Sequence, residues 1–580
     1  LKQEKGKRMS LRRIIVLIVT WIALGVPTTG ITGSRSQRLL ANDAAMLHRA
    51  RQSIRREDLR QHVNVLSDDS FEGREAGSRG GRAVGVYLRE QLERHHLVGG
   101  GAKGGFFQPF SNGYRNILAL SPGSDPDLRH EMIVISAHYD HVGYGSSQNS
   151  YGPIGRIHNG ADDNASGTAV ILELAEAFSQ LNRQPRRSVL FALWDGEEKG
   201  LLGSIHWVAH PLPTDHRINF LVNMDMVGRL RNNEVIFYGT RTQPGLRRLV
   251  SEQNREGPMR VDFTWEMPDN SDHWPFFQRG IPLLMAHTGL HDDYHRPSDD
   301  AELVNVEGME HVSRLLFNVV HELADRPASG PFRAKSRDET VQGQRRSERG
   351  LPALKSRLGV RWAAREPHAN QDADTTQDAA ITGLRLTQVR PASAAARAGL
   401  KPGDLLVACD GRPIDDVDAF RKRVLAARKP LLFSVQRDDA SEPIDLEVRL
   451  DGRPLRLGIS WRFDDAEPRT LIVSRVVPGS AAALAGLQLN DRMHLSLEDA
   501  EDAHQAFMAM VEEAGETLNL TLERQGRTFD AEIHLPPLDR EITSGDETTS
   551  PAVRTPETGF PEPGLPEDSV PAESSEEPAR

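Results

Sequence analysis

The stretch "VLFALWDGEEKGLLGS", residues 189–204, decides how this chain is read. Val189 to Trp194 form an unbroken apolar run of the length expected for a strand buried on both faces. The run stops at Asp195-Gly196-Glu197-Glu198. Adjacent carboxylates at the end of a buried strand are costly unless something positive meets them. Taken alone, the doublet reads better as the acidic start of the next helix, where the dipole favours negative charge. The surrounding sequence has to supply the cation.

Outward from this stretch, further apolar runs lie at 131–137, 218–224 and 281–286, and helical patterns at 166–181 and 302–324 separate several of them. Residues 44–98 also carry helical periodicity. Strands alternating with helices predict an α/β domain over 44–326, with a mostly parallel central sheet flanked by helices. Four segments repeat the anatomy of the first. "MIVISAHYDH" delivers His138 and Asp140, "HNGADDNASG" delivers Asp162 and Asp163, "FLVNMDMVG" delivers Asp225, and "LLMAHTGLHDDYHRPSDD" delivers His295. The carboxyl ends of parallel strands share one edge of the sheet, so residues far apart in sequence can converge there. Histidines with several carboxylates suit zinc, and also manganese or cobalt. More carboxylates than one tetrahedral ion needs point to two ions, about 3.5–4 Å apart, joined by a bridging carboxylate.

Five motifs stand in order: "HYD" at 138–140, "GADDNASG" at 160–167, "EE" at 197–198, "MD" at 224–225 and "YH" at 294–295. Over about residues 50–325 the chain thereby resembles metallopeptidase family 28, the co-catalytic di-zinc aminopeptidases and glutamate carboxypeptidase-like enzymes. The resemblance implies two zinc ions per chain. His138 and Asp225 would hold one, Glu198 and His295 the other, and Asp163 would bridge them. Asp140 would orient the His138 imidazole, as metal-bound histidines require. Glu197 would be the general base acting on the metal-activated water. Tyr294 would hydrogen-bond the developing oxyanion, with a packed aromatic as its alternative role. His141, His158, His273 and His291 are not assigned as ligands, and Asp162 reads as a helix N-terminal residue. The stretch from Leu97 to Asn116 leaves no room for the protease-associated domain inserted in some relatives. The Gly/Ser-rich loop 143–157 is longer than a strand-to-helix link needs and is expected to form a specificity rim.

The rest of the chain bounds this reading. Its 580 residues suggest about three or four domains. A net charge of −11 argues against a general nucleic-acid binder. Cys409 is the single cysteine, which excludes an intrachain disulfide and a cysteine-based zinc finger, so any metal falls to His, Asp and Glu. Lys5, Lys7, Arg8, Arg12 and Arg13 precede an apolar core from Ile14 to Val26. Residues 1–34 are therefore expected to be a signal peptide or a membrane anchor through 14–34, and the protein to be exported, periplasmic or extracellular.

Residues 327–351 form a polar linker, and an internal repeat follows. "RLGV" at 357–360 returns as "RLGI" at 456–459, and "PASAAARAGLKPGD" at 391–404 as "PGSAAALAGLQLND" at 478–491. The first copy, 352–450, resembles a PDZ domain of the bacterial protease-associated kind, and 453–537 resembles one more weakly. The resemblance implies small β-rich domains that bind protein or peptide C-termini by strand addition. In the second copy Asn490-Asp491 replaces "GD" and no "DG" follows, so a docking role stands beside peptide binding. Residues 538–580 are Pro-, Glu-, Ser- and Thr-rich, a composition expected to be a disordered tail. The sequence reads as an exported zinc aminopeptidase acting on peptides with a free N-terminus. Its alternatives are a carboxypeptidase of the same family, a one-zinc transferase on the same fold, and an inert peptidase block in a PDZ scaffold.

Overall fold

A computed structural model describes residues 35–363, 383–495 and 503–537; the expected leader (1–34) and tail (538–580) lie outside the described residues. The first domain is built on nine strands: β1 (Val98–Gly99), β2 (Phe107–Pro109), β3 (Arg115–Ser121), β4 (Glu131–His138), β5 (Ser188–Trp194), β6 (Arg217–Met224), β7 (Glu234–Tyr238), β8 (Arg260–Phe263) and β9 (Leu283–His287). They lie in the order β1-β3-β5-β4-β6-β9-β7-β8, with β2 paired to β3. The middle of the sheet, β5-β4-β6-β9, is parallel throughout. Its flanks are not: β3 runs antiparallel to β5, and β7 to β9. The expected mostly parallel sheet is thus parallel at its centre and mixed overall. The links 122–130 and 225–233 contain no helix, so the chain turns back along the edge it has just reached.

The central strands alternate between two apolar cores. Val189, Phe191 and Leu193 of β5 face one, with Ile133 and Ile135 of β4 and Phe220 and Val222 of β6. Leu190, Ala192 and Trp194 face the other, with Met132, Val134 and Leu221. A strand apolar on both sides needs a helical layer on each. The first face is covered by α1 (Arg35–Ser53), α2 (Arg56–Leu66), α3 (Arg79–Arg94), α4 (Gly167–Ser179), α6 (Leu246–Gln253) and α8 (Val306–Asp325). The second is covered by α5 (Leu202–Ala209) and α7 (Trp274–Gln278), whose Trp207 and Phe276 pack on Trp194. Helix α4 is buried nearly all round because it lies between the sheet and α1, α2, α3 and α8. Among the described residues no helix is long and apolar enough to cross a membrane.

Two β-rich domains follow, each with its own core, over 358–448 and 457–535. The repeat in sequence is a repeat in structure. Arg357 donates to the carbonyls of Val424, Leu425 and Ala427, and Arg456 to those of Val511 and Ala514. Asp404 pairs with Arg437, and Asp491 with Arg524. Asp491 of "ND" therefore occupies the place of Asp404 in "GD". The second copy is joined to the first domain: Gly245 N–H donates to Ala466 O and Val261 N–H to Gln525 O, both at 2.9 Å. A buried charge network seals this contact, with Arg241 forked between Glu339 and Asp464, and Arg247 on Glu523.

Candidate metal centre

The expected ligands gather at the C-terminal edge of the parallel strands. His138 closes β4, Asp225 follows β6, and Glu197 and Glu198 lie just past β5. Asp163 sits in the irregular helical turn Ala161–Ser166 that opens α4, and its peptide bond to Asn164 is cis. Gly160 starts this turn at φ +53°, where a Cβ would stand 2.1 Å from the Asp163 carbonyl oxygen. Only glycine fits there. His295 lies in the loop after β9.

Asp163 stands between two groups of donors. Its Oδ1 is 3.3 Å from His138 Nε2, and its Oδ2 is 3.0 Å from His295 Nε2. His138 Nε2 is also 3.4 Å from Asp225 Oδ1, while His295 Nε2 is 3.2 Å from Glu198 Oε2. Two donor sets thus share one carboxylate: His138, Asp163 and Asp225, and His295, Asp163, Glu198 and His141. Within each set the ligand atoms lie within 4.8 Å of one another. Imidazole nitrogens and carboxylate oxygens at this spacing fit divalent zinc. The burial argues the same way, because carboxylates crowded out of water require positive charge nearby.

Among the side chains themselves, the histidines answer that charge. Burial opposes ionisation of His138, but Glu197, Asp163 and Asp225 outweigh it and lift its pKa well above the usual value. Burial likewise opposes His295, which Asp163 and Glu198 raise to about 10. Burial and Asp163 would raise Glu198, yet His141 and His295 hold it at about 2. Glu197 behaves differently. Burial, reinforced by Glu198, Asp272 and Asp225 against the attraction of His138, pushes it well above the ordinary carboxylate range. Its Oε2 is 4.0 Å from His138 Nε2, and with His138 and Glu198 it makes a third group of donor atoms within 4.8 Å of one another.

Asp140 meets the His138 imidazole through its backbone and uses its carboxylate elsewhere. His138 Nδ1 is 3.1 Å from the backbone oxygen of Asp140 and 3.9 Å from its carboxylate, so the carbonyl is the closer partner. The carboxylate instead accepts the backbone N–H of Glu197 at 3.1 Å and of Glu198 at 3.4 Å. A short turn after β4 therefore holds the acidic turn after β5. Tyr294 stacks on the His295 ring, with centroids 3.9 Å apart, and Tyr151 of the 143–157 loop lies 6.0 Å from Tyr294.

Residues 116–320 match the model of peptidase family M28, and residues 385–437 match that of the PDZ domain. Residues 116–320 are a family M28 peptidase domain. Among similar curated proteins, aminopeptidase YwaD of Bacillus subtilis is 28% identical over 221 residues, 36% of this chain and 44% of that protein. Probable leucine aminopeptidase 1 of Trichophyton verrucosum is 26% identical over 293 residues, 47% of this chain and 75% of that protein. The chain thus spans less than half the length of the Bacillus relative. A solved zinc aminopeptidase from Bacillus subtilis aligns at 18% identity with a TM-score of 0.39, covering 48% of this chain and 98% of that one.

The candidate ligands of the M28 domain are held by residues to which the sequence reading gave no such part. His141 Nδ1 lies 2.8 Å from Glu198 Oε1, which puts this histidine in the second donor set. Its signal was its position, closing the "HYDH" run. Asp299 accepts the backbone N–H groups of Asp162 and Asp163 at 2.9 and 3.0 Å and is held by Arg229 at 3.2 Å. Asp162 accepts Gly228 N–H at 2.6 Å and meets His291 at 3.2 Å, tying the loop after Asp225 to the start of α4. His158 bonds to Ser150, and His273 to the Pro268 carbonyl.

Proposed function

We propose that this chain is an exported, zinc-dependent aminopeptidase that removes residues from the free N-terminus of peptides. The observation that carries this reading is Asp163, whose two carboxylate oxygens face different histidine–carboxylate groups. His138 and Asp225 would hold one ion, His295 and Glu198 the second, and Asp163 would bridge them. When bound, such a pair supplies Lewis-acid polarisation and acidifies water. Glu197 is the base: its side chain is only 10% exposed, it has a raised proton affinity, and it is positioned through its own N–H on Asp140. It takes the proton of the attacking water and returns it to the leaving amine. Tyr294, fixed by its stacking on His295, is the candidate donor to the developing oxyanion.

The choice of the amino end rests on charge. Glu197 and Asp272 add further negative charge beside the donors, whereas two nearby arginines are already committed, Arg229 to Asp293 and Asp299 and Arg74 to backbone carbonyls. An ammonium group finds partners there more readily than a carboxylate does. The basic and then apolar leader supports export, with the mature enzyme either released or anchored through 14–34. The first PDZ domain would recruit protein C-termini to the enzyme. The second docks the pair of PDZ domains on the peptidase domain through the Arg241 and Arg247 network.

Metal analysis together with an aminoacyl-arylamide panel tests the proposal. The expected result is two zinc ions per chain and cleavage of free but not N-acetylated substrates, abolished by chelator. Cleavage of N-blocked peptides with a free carboxyl end would establish the carboxypeptidase instead. A chain that binds zinc and cleaves nothing would be the inert scaffold.

A further inference from the structure

Arg74 is 1% exposed, and it bonds to the backbone beside the candidate ligands His138 and Asp163. A guanidinium at that depth is ordinarily paired with a carboxylate. Here its partners are backbone carbonyls: Nε donates to Tyr139 O at 3.1 Å, Nη1 to Leu66 O at 2.8 Å and Asn159 O at 2.5 Å, and Nη2 to Gly160 O at 2.9 Å. These carbonyls are not a random selection. Tyr139 follows the ligand His138, and Gly160 opens the turn that carries Asp163. One side chain therefore grips the two loops that must meet for the donor sets to form.

The backbone around it is built for this purpose. Glu72, Gly73 and Arg74 are consecutive residues at φ +52°, +68° and +50°. This left-handed run, unusual for residues with side chains, turns the Arg74 side chain inward. Gly73 has no freedom to change, since a Cβ would lie 2.5 Å from Gly143 O and 2.6 Å from His158 O. The strap then lends its own carbonyls to the first loop: His141 N–H donates to Arg74 O at 3.3 Å, and Gly143 N–H to Gly73 O at 3.1 Å. Segment 72–75 is thus wedged between loops 138–143 and 158–160 and bonded to both.

We propose that Arg74 is a positioning residue that pre-forms the metal centre by clamping the backbones of its two ligand-bearing loops. The inference rests on the metal reading above. It separates from a purely electrostatic role by sign. A fixed cation repels incoming zinc, so if Arg74 acted only through its charge, removing it would tighten zinc binding. A clamp predicts the reverse. Lysine keeps the charge but cannot reproduce a planar fork donating in four directions, so Arg74→Lys should fail much as Arg74→Met does.

The test is calorimetric titration of zinc into the metal-stripped full chain, with circular dichroism to verify folding. Both variants should bind zinc at least about tenfold more weakly than wild type, the scale seen when groups supporting metal ligands are lost. Unchanged or tighter zinc binding by Arg74→Met overturns the clamp. Failure of the wild type itself to bind zinc overturns the metal reading instead. Should neither variant fold, hydrogen exchange on the metal-stripped wild type decides. Slow exchange at His141 and Gly143 is the expected result, and free exchange there refutes a pre-formed centre.

Discussion

Glu197→Gln isolates the chemistry from the binding of metal. Glutamine keeps the size of the side chain, and the Glu197 N–H bond to Asp140 belongs to the backbone, so the acidic turn keeps its anchor. The expected ligands Asp163, Glu198, Asp225, His138 and His295 are untouched. Their closest mutual contacts, 3.0 to 3.4 Å, do not involve position 197. What the substitution removes is a group that accepts and returns a proton, a contribution of about 100-fold or more in rate. That equals about 2.7 kcal/mol of barrier. Thermal stability should hold or rise slightly, because the charged carboxylate is disfavoured at this depth. The assay is kcat on an aminoacyl-arylamide at saturating zinc, with metal content measured on the same sample. The expected outcome is full metal content, a KM near wild type and kcat lower by at least that factor. Near-normal turnover would refute the role of Glu197 as base. Loss of metal would show that Glu197 is itself a ligand.

Stripping the metals should lower the melting temperature of the folded chain. Zinc held at 100 times its Kd contributes about 2.7 kcal/mol, and a calorimetric scan with and without chelator that shows no shift would count against a bound ion. Arg492→Met removes one of the two arginines on the buried Glu467 and Glu523, at 3.0 and 3.7 Å, leaving Arg247 as their remaining cation, and should cost about 3 kcal/mol; denaturant unfolding followed through the 457–535 domain measures it. Glu523 carries the pH dependence of the same network: burial would raise it, but Arg247 and Arg492 hold it at about 2 against an ordinary 4.5. Its folded-state pKa is depressed, so its stabilisation is complete above 4.5 and is lost as pH falls towards 2. Glu523→Gln should flatten the acid limb of a pH–stability curve. Replacing loop 143–157 by a short turn should change substrate preference and loosen His295, whose carbonyl accepts Tyr151 N–H at 3.1 Å; identical kinetics across a peptide panel would reject the rim.

The strands, and the convergence of the candidate residues at one sheet edge, were legible for one reason. A strand buried on both faces writes itself as a continuous apolar run, and residues placed just past such runs share an edge whatever their separation in sequence. Val189–Trp194 and Met132–Ala137 carry that pattern, and so His138 and the Glu197–Glu198 doublet could be brought together before any coordinates. The direction of the flanking strands was less legible, because it depends on whether a link crosses the sheet or turns back. Links 122–130 and 225–233 show their meaning only once their lack of a helix is known. The support of the centre was hidden for a further reason: it is made by backbone. Asp140 holds the doublet through N–H groups, Asp299 holds Asp163 in the same way, and Arg74 reaches carbonyls alone. Backbone donors and acceptors are present at nearly every residue and leave no mark in the order of side chains. A buried arginine in "FEGREAGS" therefore reads as a solvent-exposed charge until the loops that need it are folded around it.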